Sequence, residues 1–240
     1  MDRHNLAAAF IKRVSDYATL ENVINPWKDY VDGYDIGPEA VEIRRNQLLR
    51  YLAPRICVAR FILIAEAVGY QGARFSGVPL TSERMVTGNH PFVKPPMIFD
   101  GGPGGRTSLP DLPKPNRMQA AYGFSEPTAS IVWEAALASG QWEPTDFIFW
   151  NIYPFHPFKS SQDMMTNRTP TSAELSVGMK VANELFNLSP GAEIVAIGRK
   201  AAETLMLHHV NHLSVPHPAN GRANLFRSAL KNILDSAAGH

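Results

Sequence analysis

The chain has 240 residues with 23 basic and 22 acidic side chains, so its formal net charge is +1 when histidine is neutral. A chain of this length can bury about 70% of its unfolded surface in one core and needs no disulfide or metal to fold. The single cysteine, Cys57, excludes an intramolecular disulfide, a zinc site made only of cysteines and a four-cysteine iron–sulfur cluster. The small net charge argues against a protein that coats nucleic acid by bulk electrostatics, although it does not exclude a local basic face.

The sequence predicts neither a membrane span nor a secretory signal. The longest apolar run, Ile56–Val68, is interrupted by Arg60 and Glu66. The N-terminus carries acidic and basic side chains before any apolar stretch, and no small-residue cleavage site follows. Together with the lone cysteine, these features favour the reducing cytoplasm.

Short apolar runs alternate with segments of helical periodicity along the chain. Four runs are almost continuously apolar, which is typical of parallel strands covered on both faces: Phe61–Ala65, Asp146–Asn151, Glu193–Gly198 and His212–Val215. Six segments predict helices: Leu6–Leu20, Pro38–Leu52, Pro127–Gly140, Thr171–Phe186, Gly198–His209 and Ala223–Ala237.

This alternation predicts an α/β fold, a three-layer α/β/α sandwich around a central four-stranded, mainly parallel sheet. We expect one domain over residues 1–240, with an N-terminal helical segment to about 55 and a catalytic core over about 56–236. Connections between parallel strands should be right-handed, and a site should lie at the carboxyl ends of the strands.

One long segment, Gly69–Pro127, breaks the alternation. It is dense in glycine and proline, above all in Asp100–Arg106 and Leu109–Arg117. A loop of this length inside a compact domain is usually functional or a mobile lid.

Three strand ends carry residues suited to binding or catalysis. Glu66 lies where the first strand runs into glycine-spaced residues, a geometry that presents backbone N–H groups but that also makes a plain tight turn. Asn151 ends the second strand, where its amide could read a base edge or simply cap the strand. His217 lies between two prolines just before the turn at Asn220–Gly221, where it could stabilise a leaving group or be an ordinary loop histidine.

Basic residues gather in two parts of the chain. The segment from Arg199 to His240 contains five lysines and arginines but only two carboxylates, which gives it a local net charge of +3. The region Glu42–Arg60 adds five arginines: Arg44, Arg45, Arg50, Arg55 and Arg60. This concentration of positive charge favours a phosphate-binding surface. The indication is weak, because charged helix faces are usually only solvated.

Histidine spacing raises a metal site as an alternative. His208 and His212 are four residues apart, and three His-Pro pairs occur, at His90, His156 and His217. Because His212 begins a predicted strand, the helical spacing is broken. We therefore expect no metal and no cofactor.

In order and placement, these segments resemble the uracil-DNA glycosylase superfamily from about Phe61 to Arg227. The residues Ala65-Glu66-Ala67-Val68-Gly69 are similar to the G-E-A-P-G form of its first motif. Phe75-Ser76 is similar to a pair whose ring stacks on the flipped base, and Asn151 to an asparagine that reads the uracil edge. His217-Pro218-Ala219 is similar to a late H-P-S loop that supplies the leaving-group histidine and the wedge.

The sequence departs from this pattern at four positions. Cys57 alone cannot hold the iron–sulfur cluster of the G-E-A-P-G branch. Ala67 stands where G-Q-D-P-Y enzymes have the aspartate that orients water, and Gly69 where their tyrosine excludes the thymine methyl. Ala219 replaces the phosphate-contacting serine. The resemblance therefore implies a divergent branch.

The resemblance implies a monofunctional DNA glycosylase that flips uracil, and other deaminated bases, out of DNA and leaves an abasic site for base excision repair. Its expected partner is single- or double-stranded DNA containing uracil, and a monomer is expected. The implied catalytic residues are Glu66 and His217, with the Ala67 carbonyl as the alternative water-positioning group. Implied substrate contacts are Ala67, Gly69, Tyr70, Phe75 and Asn151; implied DNA contacts are Ser76, Asn220, Arg222, Arg227 and Lys231.

Two other functions remain open on the sequence. A non-catalytic lesion-binding module on the same fold would explain the missing aspartate and serine. A small-molecule nucleotide hydrolase would use the same strand ends but would lack salt-dependent DNA binding.

Overall fold

The computed structural model describes residues 2–18, 20–112 and 116–239. Residues 113–115 of the predicted glycine- and proline-rich loop, and His240 of the predicted basic region, lie outside the described residues. The helices are α1 Arg3–Asp16, α2 Glu39–Leu52, α3 Ala73–Ser76, α4 Glu83–Val86, α5 Pro95–Ile98, α6 Arg117–Tyr122, α7 Pro127–Leu137, α8 Ser172–Asn187, α9 Arg199–Leu207 and α10 Ala223–Ala238. The strands are β1 Val23–Ile24, β2 Phe61–Ala67, β3 Phe147–Tyr153, β4 His156–Pro157, β5 Glu193–Ile197 and β6 Leu213–Val215.

The central sheet has four strands in the order β3-β2-β5-β6, and all three pairings are parallel. This confirms the predicted α/β fold with its four-stranded parallel sheet. β3 is buried at every position, as expected for a strand covered on both faces. Helices α8, α9 and α10 pack against β3, β5 and β6, respectively. Because all four strands run in the same direction, their carboxyl ends lie at one edge of the sheet.

A second, two-stranded sheet has no counterpart in the sequence analysis. β1 pairs antiparallel with β4, Val23 opposite Pro157 and Ile24 opposite His156. Strands of two residues carry too little periodicity to be recognised in a sequence. The pairing ties the chain after α1 to the segment that follows β3.

Helix α8 lies unusually close to β3. Its Gly178 is the contact point, because a Cβ there would overlap the carbonyl oxygen of Ile152 and lie 2.8 Å from its carbonyl carbon. Backbone atoms of a central strand cannot move aside as a flexible side chain would. The glycine therefore sets the distance between this helix and the sheet.

We expect Gly178→Ala to lower the free energy of unfolding by about 1–3 kcal/mol, because the added methyl group must displace strand backbone. In an exposed helix position the same change would be stabilising. Urea unfolding measures the difference, with Ser176→Ala on the exposed face of α8 as the control. A Gly178→Ala protein as stable as the control would contradict this close packing.

Buried arginines correct one sequence expectation. Arg44 and Arg55, counted above toward a phosphate-binding surface, are 0% and 1% exposed. Arg55 donates to the carbonyl oxygens of Tyr51, Met97 and Ile98 at 2.7–2.8 Å. The helical spacing of the arginines in this region is also that of a solvent-exposed face. In the folded protein, however, distant segments pack over Arg44 and Arg55, so these two residues are unavailable to DNA.

Arg44 belongs to a buried ion cluster. Its guanidinium and that of Arg74 both lie 2.9 Å from Oδ1 of Asp35, and all three side chains are at most 2% exposed. Burial, together with the positive charge of Arg74, lowers the pKa of Arg44 to about 10, so the side chain stays charged at neutral pH. The cluster joins α2, α3 and the loop before α2.

The glycine- and proline-rich segment is anchored rather than free to swing as a lid where it is described. The carboxylate of Glu83 accepts hydrogen bonds from the backbone N–H groups of Thr107 and Ser108 at 2.9 Å and of Phe124 at 3.1 Å. Glu83, Thr107 and Ser108 are completely buried. One carboxylate thus holds two distant parts of the segment against the core.

Candidate functional site

A cleft of about 400 Å³ opens at the carboxyl edge of the sheet. Its walls come from the end of β2, the start of α7, the loop before α8, the first turn of α9 and the loop after β6. A larger groove of about 640 Å³ lies between α1 and α2, away from the strand ends. We take the first cleft as the candidate site because it gathers polar and charged groups from five elements, as binding sites in parallel α/β sheets do.

Glu66 lines this cleft from the end of β2. β2 is buried through Ala65 and half-buried at Glu66, so the strand leaves the core at this residue. One carboxylate oxygen lies 3.4 Å from Nζ of Lys200, and the Glu66 side chain is 25% exposed. Nζ of Lys200 also donates to Oγ1 of Thr169 at 2.8 Å, so two elements hold the lysine that orients this carboxylate.

His217 enters the same cleft from the loop after β6. The backbone N–H of Ala219 donates to its Nδ1 at 3.2 Å, which places the proton of the neutral ring on Nε2. Burial of the ring lowers its pKa, so the neutral form dominates at neutral pH. The side chain packs on Gly198, where a Cβ would lie 3.0 Å from Cβ of His217. The result is an oriented neutral donor at the cleft.

Ala67 and Gly69 also line the cleft, but Asn151 does not. Asn151 is 3% exposed, and its Nδ2 donates to the carbonyl oxygen of Ala67 at 2.9 Å. The predicted edge-reading amide is thus engaged with the backbone of the first motif. Ala67's carbonyl oxygen, the alternative water-positioning group, is the acceptor of that bond.

The Phe75-Ser76 pair lies in the interior. Phe75 is 1% exposed and stacks on Phe124, with ring centroids 4.9 Å apart and planes 3° apart. Tyr70 contacts the same Phe124 edge-on at 5.8 Å. The Ser76 hydroxyl is fully buried and donates to the Thr81 carbonyl at 2.6 Å. Neither Phe75 nor Ser76 lines the cleft, so the proposed site does not include them.

The predicted DNA contacts after His217 fall into two groups. Asn220 and Gly221 have φ of 57° and 77°, which makes the predicted turn, and the exposed Arg222 precedes α10. Arg227 and Lys231 instead line a separate groove between α7 and α10. There Arg227 lies 3.9 Å from Glu134, and Lys231 pairs with Asp235.

Glu126 is a residue of the cleft that the sequence analysis missed. It lies directly before Pro127 and α7, and its Oε2 is buried with no hydrogen-bond partner among the described residues. Burial raises the pKa of this carboxyl to about 7. The sequence signal was an acid preceding a proline at a helix start, which ordinarily indicates only favourable helix-end electrostatics.

Nothing in the described part of the chain supports the metal alternative. No group of three or more His, Cys, Asp or Glu residues placed to hold an ion occurs within residues 2–18, 20–112 and 116–239. His156 is fully buried, and its Nε2–H donates to the Thr166 carbonyl at 2.9 Å. Burial lowers the pKa of His156 to about 4, so it is a neutral core histidine.

This burial makes stability pH-dependent. The unfolded chain binds a proton at His156 near pH 6.5, whereas the folded protein binds it only near pH 4, so stability is lost as pH falls between these values. Between pH 7 and pH 4, the free energy of unfolding of His156→Gln should fall by about 3 kcal/mol less than that of the wild type, because glutamine does not titrate. Urea unfolding of both proteins at pH 7, 5 and 4 measures the difference; parallel curves would refute a buried neutral His156.

The sheet order and flanking helices form a fold of the uracil-DNA glycosylase type. The chain is similar to the crystal structure of wild-type SMUG2 from Pedobacter heparinus. The TM-score is 0.64, the identity is 14%, and the match covers 100% of this chain and 98% of the other. No protein-family model and no curated protein sequence matches the chain.

No helix within the described residues is long and apolar enough to cross a membrane.

Proposed function

We propose that the protein is a monofunctional DNA glycosylase that acts as a monomer on uracil and related deaminated bases in DNA and leaves an abasic site. One observation carries the proposal: a lysine-paired carboxylate, Glu66, and an oriented neutral imidazole, His217, line the same cleft. The similarity of the fold to SMUG2 supports a reaction of this class.

Such a reaction starts with the target nucleotide leaving the helix. A base inside the stack is out of reach, and extruding it costs a few kcal/mol, least for a mispaired or damaged base. A cleft of about 400 Å³ can hold one base. Bond cleavage then develops positive charge on the sugar and negative charge on the departing base.

His217 would stabilise the departing base. Nε2–H is the free donor of its ring because Nδ1 accepts from the Ala219 backbone. A preoriented donor aimed at developing negative charge contributes about 3–4 kcal/mol in other enzymes. A neutral donor avoids deep stabilisation of the ground state, since the charge it meets forms only during cleavage.

Glu66 would position the water and stabilise the cationic sugar. Its carboxylate is the nearest equivalent of the aspartate that Ala67 replaces, and Lys200 holds its orientation. A carboxylate in this place can accept a proton from water and interact favourably with the adjacent positive charge.

The rim of the cleft is suited to phosphates. Arg168, Arg199 and Lys200 line it, and the exposed Arg222 lies in the loop after His217. We propose Arg222 as the side chain that fills the space left by the flipped base, with Asn220 forming the turn that presents it. Arg227 and Lys231 line another groove, so any phosphate contact they make would lie outside the cleft and be secondary.

We expect Glu66→Gln and His217→Ala each to lower single-turnover cleavage of a uracil-containing oligonucleotide about tenfold or more, since each removes a group specific to the transition state. Alkali cleavage at the abasic site provides the measurement. Exposed residues far from the cleft supply matched controls, Glu42→Gln and His4→Ala. Wild-type rates in both cleft variants would refute the assignment.

The glycine at position 69 predicts that the enzyme accepts a wide range of bases. Where related enzymes place a tyrosine, this chain has no side chain, and a Cβ there would lie 3.4 Å from Nδ2 of Asn167. A pocket without that gate should accept bases with larger outlines than uracil. Oligonucleotides carrying hypoxanthine, xanthine and mismatched thymine test this; activity on uracil alone would contradict it.

A non-catalytic lesion-binding module is the second candidate. Ala67 and Ala219 lack the side chains that a standard active site would use, which favours this alternative. It predicts preferential binding of lesion-containing DNA without abasic-site formation, so the same assay separates the two.

A further inference from the structure

The cleft contains a second carboxyl group that the reaction described above does not use. Glu126 lines the cleft, and its Oε2 has lost its contact with solvent. Within the described residues this oxygen has no hydrogen-bond partner. A buried polar atom without a partner costs about 1–3 kcal/mol, so the fold holds this carboxyl in the cleft wall at a cost that a ligand's hydrogen bond to the carboxyl would offset.

The surrounding backbone leaves room for this carboxyl. Gly72 is the close neighbour, because a Cβ there would overlap Oε2 of Glu126 and lie 3.0 Å from its Cδ. Any side chain at Gly72 would displace the carboxyl. Asn151, which the sequence suggested for reading the base edge, is buried against Ala67 and does not line the cleft. The Nδ2 donor of the expected residue is thus already engaged with the backbone, which leaves a place for a second group that contacts the polar edge.

Several elements contribute charged groups to the same cleft, and none of them shifts the pKa of the Glu126 carboxyl, which is raised by burial alone. Glu66 lies at the end of β2, Arg168 in the loop before α8, Arg199 and Lys200 in the first turn of α9, and His217 after β6. Desolvation is the cause of the raised pKa of Glu126, about 7, so much of this carboxyl is neutral near neutral pH. A neutral carboxyl offers an O–H donor beside a C=O acceptor.

We propose that Glu126 contacts the target base directly and reads an edge on which an N–H lies beside a C=O. This inference rests on the proposed function and adds to it the residue that recognises the base and the chemical class of its ligand. Uracil, hypoxanthine and xanthine all present such an edge. The neutral carboxyl pairs with both groups, whereas the ionised form would set a second acceptor against the carbonyl oxygen.

Two substitutions at one position test the contact. Glu126→Gln keeps a donor beside an acceptor but cannot titrate, and Glu126→Ala removes both. We expect single-turnover cleavage by the wild type to fall about tenfold per pH unit above pH 7, as the carboxyl ionises. Glu126→Gln should stay within about threefold of the wild type at pH 6 and lose this decline, while Glu126→Ala should lose about tenfold or more, mainly as weaker substrate binding.

The controls separate contact from folding. Urea unfolding of each variant shows whether the protein is intact, and Glu42→Gln reports on removing an exposed carboxyl. Because His217 is unchanged in both variants, loss of the alkaline decline is assigned to position 126. If Glu126→Gln is as impaired as Glu126→Ala, the group works as an ionised base or a proton donor, and the contact as proposed is overturned. Wild-type rates and pH dependence in Glu126→Ala overturn it as well.

A wild type without any glycosylase activity would refute the proposed function but not this contact. In that case fluorescence anisotropy with uracil-containing and undamaged oligonucleotides supplies the readout. The contact predicts that Glu126→Ala loses the preference for the lesion while Glu126→Gln keeps it. A wild type without such a preference, or an unchanged preference in Glu126→Ala, overturns the inference.

Discussion

One buried aspartate constrains the whole region around the cleft. Asp35 accepts from Arg44 of α2 and from Arg74, which lies in α3 on the loop that continues from β2. With the nearby Glu83, two buried positive charges meet two negative ones. Buried charges persist only when paired and hydrogen-bonded, so removing any one would leave another uncompensated. The loop that carries Gly69, Gly72 and Phe75 is therefore fixed relative to α2 before any ligand binds.

That fixed loop gives the cleft two carboxyl groups in contrasting surroundings. Glu66 is partly exposed and paired with Lys200, whereas the Glu126 oxygen is desolvated, and this raises its pKa. Pairs of acids whose environments differ in this way commonly divide their tasks in enzymes. In the proposed reaction, the paired carboxylate acts on the sugar and the water, and the desolvated carboxyl contacts the base.

The sequence predicted the sheet well because its strands are continuous apolar runs, a pattern that few alternatives share. Phe61–Ala65 and Glu193–Gly198 both became central parallel strands within two residues of the expected bounds. Burial of polar groups was predicted poorly. Arg44 and Arg55 follow a helical pattern that a solvated face would also give, and only the packing of distant segments turns them inward. Glu126 was missed for the same reason, since its desolvation comes from neighbours remote in sequence, such as Gly72.

The turn between β5 and α9 supports both His217 and Glu66, so it determines how substitutions at these two residues combine. Gly198, with φ of 88°, packs against His217, and two residues later Lys200 pairs with Glu66. The same three residues of backbone thus set the position of both the imidazole and the carboxylate. Groups that share a support are rarely independent, so the energetic effects of altering them should fail to add. In a double-mutant cycle, the two sides of the cleft would behave as one coupled unit.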